Sequence, residues 1–167
     1  YSLGYVYLTQ GAMESAQSAF QTFVRDYTMR DNYLYDAHNR LGDAHFAVRE
    51  FADARRVYKL VSKAPTDERY YALFQLAQVD GIDNNQKSKI DKLKAIVTDA
   101  QGPYVDDAWY ELGRTYITME KYSDGAKTLQ EFVDSDYLSP YYVSALSDLA
   151  LAYYNLGRKD DARVCYE

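Results

Sequence analysis

The sequence predicts an all-α protein, a right-handed α-α superhelix of about five helix-turn-helix repeats that is incomplete at both ends. Three observations carry this reading. The segments "SLGYVYL" (2–8), "RLGDAHF" (40–46), "QLAQVDG" (75–81), "ELGRTYI" (111–117) and "DLALAYY" (148–154) align on a small residue: Gly4, Gly42, Ala77, Gly113 and Ala150, in steps of 38, 35, 36 and 37. A second amphipathic segment follows each one. Four of these carry a small residue, Ala16, Ala54, Gly125 and Ala162, with Phe20, Tyr58, Leu129 and Tyr166 one helical turn later. Finally, Pro65, Pro103 and Pro140 all fall between the second helix of one unit and the first helix of the next, where proline stops or starts helices.

The units read as residues 1–32, 33–67, 68–103, 104–139 and 140–167, each a helix A, a polar turn and a helix B. The turns are "TQGAM", "VREF", "DNNQKS", "MEKYS" and "LGRKD". Glycine inside a helix costs about 1 kcal/mol relative to alanine, so Gly4, Gly42 and Gly113 imply close approach of another helix. The third unit departs from the pattern, with Lys89 in the small slot, though Leu93 and Ile96 keep the apolar phase. Asp36, Glu68, Asp106 and Asp107 are expected in the first turn of helix A, where they suit the helix dipole. The steps exceed the commonest repeat length, and the extra residues are expected in the B-to-A connections "YLYDA", "RYYA", "YVDDA" and "YYVSA". One hairpin cannot bury its apolar face alone, so stacking is what makes a core.

These residues resemble the tetratricopeptide repeat, whose signature is Trp, Leu-Gly, Tyr, Ala, aromatic, Ala and Pro at fixed offsets. Repeat four carries Trp109, Leu112, Gly113, Tyr116, Tyr122, Gly125 and Leu129. Repeat two carries Leu41, Gly42, Phe51, Ala54, Tyr58 and Pro65, with His45 in the Tyr slot. The aromatic-then-Ala connections and the Phe-Val or Ile-Val pairs ending helix B further resemble tetratricopeptide proteins of the Gram-negative envelope, of the β-barrel assembly lipoprotein and Tol–Pal-associated types.

The resemblance implies a groove lined by helix A. By position it would include Tyr5 and Leu8, then Asp36, Asn39, Asp43 and Phe46, then Tyr71, Phe74 and Gln78. Further along it would include Asp107, Tyr110, Arg114 and Ile117, then Ser147, Leu151 and Tyr154. Such a face implies a non-catalytic scaffold that binds a peptide or partner protein in its concave groove, in cell-envelope assembly, and a periplasmic or outer-membrane-associated location, with the cytoplasm as the alternative. The alternative functions are the ligand-sensing region of a regulatory protein or the substrate-binding region of a larger enzyme. Asp36, Asp43 and Asp107 would repel an anionic peptide end, so a basic or apolar partner is expected.

Composition narrows the remainder. A net charge of −6 with no Lys/Arg-rich segment argues against nucleic acid. No apolar run approaches the roughly 18 residues of a membrane span. The single Cys165 forms no internal disulfide and is expected to be buried or capped. His38 and His45, seven residues apart, would stand about 10 Å apart along a helix, too far to share a metal. No phosphate loop, metal-ligand cluster or nucleophile motif is present, so neither cofactor nor enzyme activity is expected. The chain opens and stops in mid-pattern and is read as a piece of a longer protein.

Overall fold

The computed structural model describes residues 1–99, 102–135 and 138–166. Among these, ten helices and no strand occur: α1 (Ser2–Thr9), α2 (Met13–Asp26), α3 (Asn32–Ala47), α4 (Phe51–Val61), α5 (Glu68–Ile82), α6 (Gln86–Thr98), α7 (Val105–Thr118), α8 (Tyr122–Val133), α9 (Tyr142–Asn155) and α10 (Lys159–Val164). Odd-numbered helices are the expected A helices and even-numbered ones the B helices. The chain divides into two compact units, Tyr1–Asn84 and Asn85–Glu167. The division falls within the third repeat, after α5.

Within the first unit α1 packs on α2, α2 on α3, α3 on α4 and α4 on α5, and α3 also lies beside α5. Within the second, α6 packs on α7, α7 on α8, α8 on α9 and α9 on α10, with α7 beside α9. α2, α4 and α8 thus each pack between their own A helix and the next.

The A-helix glycines set how closely the hairpins close. A Cβ on Gly4 would lie 2.6 Å from the Phe20 ring, one on Gly42 2.5 Å from Tyr58, and one on Gly113 would collide with Leu129. Phe20, Tyr58 and Leu129 are fully buried, so none can swing clear. The facing small residues Ala16, Ala54, Gly125 and Ala162 are buried as expected; a Cβ on Gly125 would stand 2.9 Å from Ile117 Cγ1.

Every A–B turn uses the same backbone device. The second residue beyond helix A is left-handed: Gly11 (φ 72), Arg49 (φ 65), Asn84 (φ 58), Glu120 (φ 58) and Gly157 (φ 76). Its N–H donates to the carbonyl three residues back, as from Arg49 to Phe46 at 3.0 Å and from Glu120 to Ile117 at 2.9 Å. In four turns the next N–H reaches five residues back, as from Lys121 to Tyr116 at 2.9 Å, which completes a Schellman-type stop. Three of the five left-handed residues carry a Cβ, which costs roughly 1–2 kcal/mol each.

Two expectations are corrected. The residues beyond the common repeat length do not lengthen the connections. Tyr33–Ala37 and Arg69–Ala72 are already helical, so they extend helix A at its start, giving α3 16 residues and α5 15. Asp36 consequently lies in the second turn of α3. The helix instead begins at the N-cap Asp31, whose Oδ1 accepts from the Leu34 N–H at 3.2 Å. Glu68, Asp106 and Asp107 do occupy first turns.

Gly113→Ala is a test in which two effects oppose. Helix propensity favours alanine by about 1 kcal/mol, whereas overpacking against Leu129 costs about 1–3 kcal/mol. Denaturant unfolding should show net destabilisation, and a gain in stability would contradict the packing described. Glu120→Gly should stabilise by up to about 1 kcal/mol in the same assay, because glycine accepts the left-handed turn without strain.

Candidate binding face

The A helices of the first unit are joined side by side through a repeated contact. The residue after the small position of one helix meets the residue six before the small position of the next. Tyr5 on α1 donates to Asp36 Oδ2 on α3 at 2.5 Å, and Tyr1 donates to the same oxygen at 2.5 Å. One repeat on, the polarity reverses: Tyr71 on α5 donates to Asp43 Oδ1 on α3 at 2.7 Å. Tyr58, packed over Gly42, donates to the same Oδ1 at 2.6 Å. Arg40 closes the set, 2.6 Å from Asp43 Oδ2 and 3.4 Å from Asp36, with its guanidinium 4.4 Å from the centre of the Tyr71 ring.

Burial sets the electrostatics of this network. Desolvation pushes the Asp43 carboxyl above its ordinary 3.8, opposed by Arg40 and by the two tyrosine hydroxyls. Desolvation, followed by the charge of Asp43, raises Tyr58 and Tyr71 well beyond the usual phenol range. Both tyrosine hydroxyls therefore stay protonated at neutral pH and serve as the donors that these hydrogen bonds require. Asp36 and Asp43 are spent on these bonds and on Arg40, so they are not free acids lining a groove.

Above Asp43 lies a cleft of about 410 Å³, walled by Leu8, Met13, Phe46 and Ala47 with Tyr71 and Gln75. Phe46 stands edge-on to Phe51, centroids 5.4 Å apart. The other expected residues divide. Asn39 is buried at 1% exposure, and its Nδ2 donates to the Glu68 carbonyl at 3.1 Å, tying α3 to the start of α5. Phe74 and Gln78 are half-buried on α5. A larger depression, about 850 Å³, lies between α1 and α2 and includes Leu3, Tyr7, Ala19 and Phe23. Leu3 is 57% exposed, whereas its register equivalent Leu41 is buried against α2. That depression shares no lining residue with the cleft above Asp43.

In the second unit Tyr141, the residue before α9, donates to Asp107 Oδ1 at 2.7 Å, and Ser139 donates to Asp106 at 2.9 Å. The bond to Asp107, with desolvation, pushes Tyr141 up to about 12. Tyr110 stacks on Tyr141, centroids 5.0 Å apart, and Arg114 lies 5.6 Å from the Tyr110 centroid and 3.8 Å from Asp148. Ser147, Leu151 and Tyr154 are exposed on α9. Ile117 turns inward instead, against Gly125 of α8. Trp109 is half-buried against the core of this unit. Cys165 is half-buried, its thiol 3.4 Å from the Asp161 carbonyl.

Sequence reasoning placed these residues on the right helices but missed Tyr1, Arg40, Met13 and Tyr141. The signal for the network was present in the register pairs Tyr5/Asp36 and Asp43/Tyr71. No helix among the described residues is long and apolar enough to cross a membrane.

A tetratricopeptide-repeat family model matches residues 1–68 and 110–166, more than half of the chain. The chain belongs to the tetratricopeptide-repeat family. The unmatched span, residues 69–109, takes in the departing third repeat from its second residue onward. Among solved structures, a MamA crystal structure aligns with a TM-score of 0.78 at 20% identity, over 98% of this chain and 90% of that one. MamA from Desulfovibrio magneticus RS-1 gives 0.75 at 20% identity over 99% and 88%. The kinesin light chain TPR-like repeats of Podosopora anserina give 0.74 at 16% identity over 99% and 88%. At these identities the likeness concerns the fold, which is the expected all-α tetratricopeptide solenoid class. No curated protein sequence matches the chain.

Tyr58→Phe tests the network. Removing a hydroxyl bonded to a charged acceptor should cost about 1.5–3 kcal/mol. The lost bond favours the ionised form of Asp43, so its pKa should rise further in the variant. The deficit should be present above the raised pKa of Asp43 and shrink as pH falls through it, at a pH above the ordinary 3.8. Denaturant unfolding across pH reads this, and a pH-independent deficit would mean that the hydroxyl does not serve Asp43.

Proposed function

We propose that this chain is a non-catalytic protein-interaction module whose contact surface is the A-helix face. Tetratricopeptide repeats mediate protein–protein interaction, and the finer reading rests on the cleft above Asp43. Its walls are Leu8, Met13, Phe46 and Ala47, and its polar floor is satisfied internally. A satisfied floor adds little desolvation cost when an apolar side chain enters. The partner presents an aliphatic or aromatic side chain from a peptide segment, with Gln75 available for a hydrogen bond that fixes register. The net charge of −6 supports a basic or apolar partner over an anionic one. The aromatic-Ala approach to helix A supports a scaffold role in the cell envelope, periplasmic or outer-membrane-associated, as the setting; cell fractionation tests that setting.

The contact is tested by selecting binders from a random peptide library displayed on phage. Selected peptides should share an apolar anchor. Leu8→Glu and Ala47→Glu should each weaken binding at least tenfold by fluorescence anisotropy while unfolding stays near that of the parent. Unchanged affinity in both variants would move the contact off this cleft.

A further inference from the structure

Away from the A-helix face, three ligand-bearing side chains converge at the turn between α3 and α4. His45 lies in the last turn of α3, Glu50 is the residue before α4, and Asp53 lies in its first turn. The left-handed backbone at Arg49 folds the chain sharply between them. One donor atom from each of the three lies within 4.8 Å of the others.

His45 Nε2 is enclosed without a partner, so Nδ1 is the ring nitrogen that meets polar groups. It meets two with opposite demands. Glu50 Oε2, an acceptor, is 2.6 Å away, and the Gln17 amide nitrogen, a donor, is 3.0 Å away. The same amide nitrogen donates to Glu50 Oε2 at 2.8 Å. One ring nitrogen cannot donate to the first and accept from the second. At 2.6 Å the Nδ1–H donates to Glu50 Oε2, and the Gln17 amide donates to the same oxygen at 2.8 Å, so Nδ1 and Oε2 already turn toward one point that a proton occupies. A cation taken up there displaces that proton and meets both atoms.

We propose that His45 Nδ1, Glu50 and Asp53 bind a divalent first-row transition cation such as zinc, in the place now bridged by the Gln17 amide. Zinc holds such donors at about 2.0–2.2 Å, which sets tetrahedral ligand pairs about 3.3 Å apart. Glu50 needs to withdraw from His45 by less than about 1 Å to reach that spacing. Glu50 and Asp53 side chains are 49% and 48% exposed, so both can adjust and the ion can enter. Asp53 exchanges its exposed pair with Arg56 at 2.9 Å for the metal. An imidazole with two carboxylates suits zinc, cobalt or nickel, whereas calcium and magnesium take all-oxygen sets. A half-turn of the Gln17 amide presents its oxygen as a fourth donor. Because Gln17 is on α2, the ion ties the first hairpin to the second within the first unit.

Titration calorimetry of the whole chain with zinc chloride tests this, alongside the visible spectrum of the cobalt-loaded protein. One equivalent should bind, the melting temperature should rise, and the cobalt spectrum should show the strong d–d bands of a tetrahedral site. Glu50→Gln and Asp53→Asn should each weaken zinc at least tenfold without altering the metal-free fold, and His38→Gln should leave affinity unchanged. Absence of saturable binding, binding indifferent to both acid variants, or equal competition by magnesium would each overturn the proposal.

Discussion

The structure depends on one steric constraint, the distance at which an A helix can meet its own B helix. At Gly4, Gly42 and Gly113 that distance leaves no room for a Cβ, because Phe20, Tyr58 and Leu129 already fill it, sixteen residues further along the chain in each case. The constraint reads in both directions. A glycine is needed because the opposing residue is large, and the large residue is buried because the glycine lets it lie on bare backbone. Helix propensity opposes this choice by about 1 kcal/mol per site, so packing decides it.

The turns follow from the same crossing. For B to fold back on A within a few residues, helix A must stop abruptly, and a single left-handed residue does so five times. Gly11 and Gly157 accept that conformation freely. Arg49, Asn84 and Glu120 accept it at a cost, since the hairpin they close buries enough apolar surface to hold them there. At Arg49 the cost coincides with the convergence of His45, Glu50 and Asp53, side chains distributed over two helices and the turn between them.

How much of this was legible in the sequence depends on the length scale. The A–B register was readable, because it rests on small and large residues at a fixed spacing that any one hairpin reproduces. Where helix A begins was less so. The aromatic stubs at Tyr33 and Arg69 look like connections by composition, but they have apolar surface to bury and continue the helix. The groove was legible by helix and illegible by atom. Asn39 and Ile117 occupy groove positions in the repeat pattern, yet one is drawn inward by the Glu68 carbonyl and the other by the space above Gly125. No periodicity encodes those choices, which depend on which neighbour offers a hydrogen bond or a gap.

The acids illustrate the point most sharply. Counted as charges, Asp36 and Asp43 make the first unit's A-helix face repel anions. Followed as atoms, they are acceptors that tie one A helix to the next, and the tie is built twice with the roles exchanged: tyrosine before aspartate between α1 and α3, aspartate before tyrosine between α3 and α5. A contact that tolerates exchange of donor and acceptor is a geometric requirement of the stack, not a feature tuned to a ligand. Recognition then falls to whatever those pairs leave uncommitted, chiefly the apolar wall of Leu8, Met13, Phe46 and Ala47. On this face the polar residues fix the spacing of the helices, and the apolar ones are left to select what binds between them.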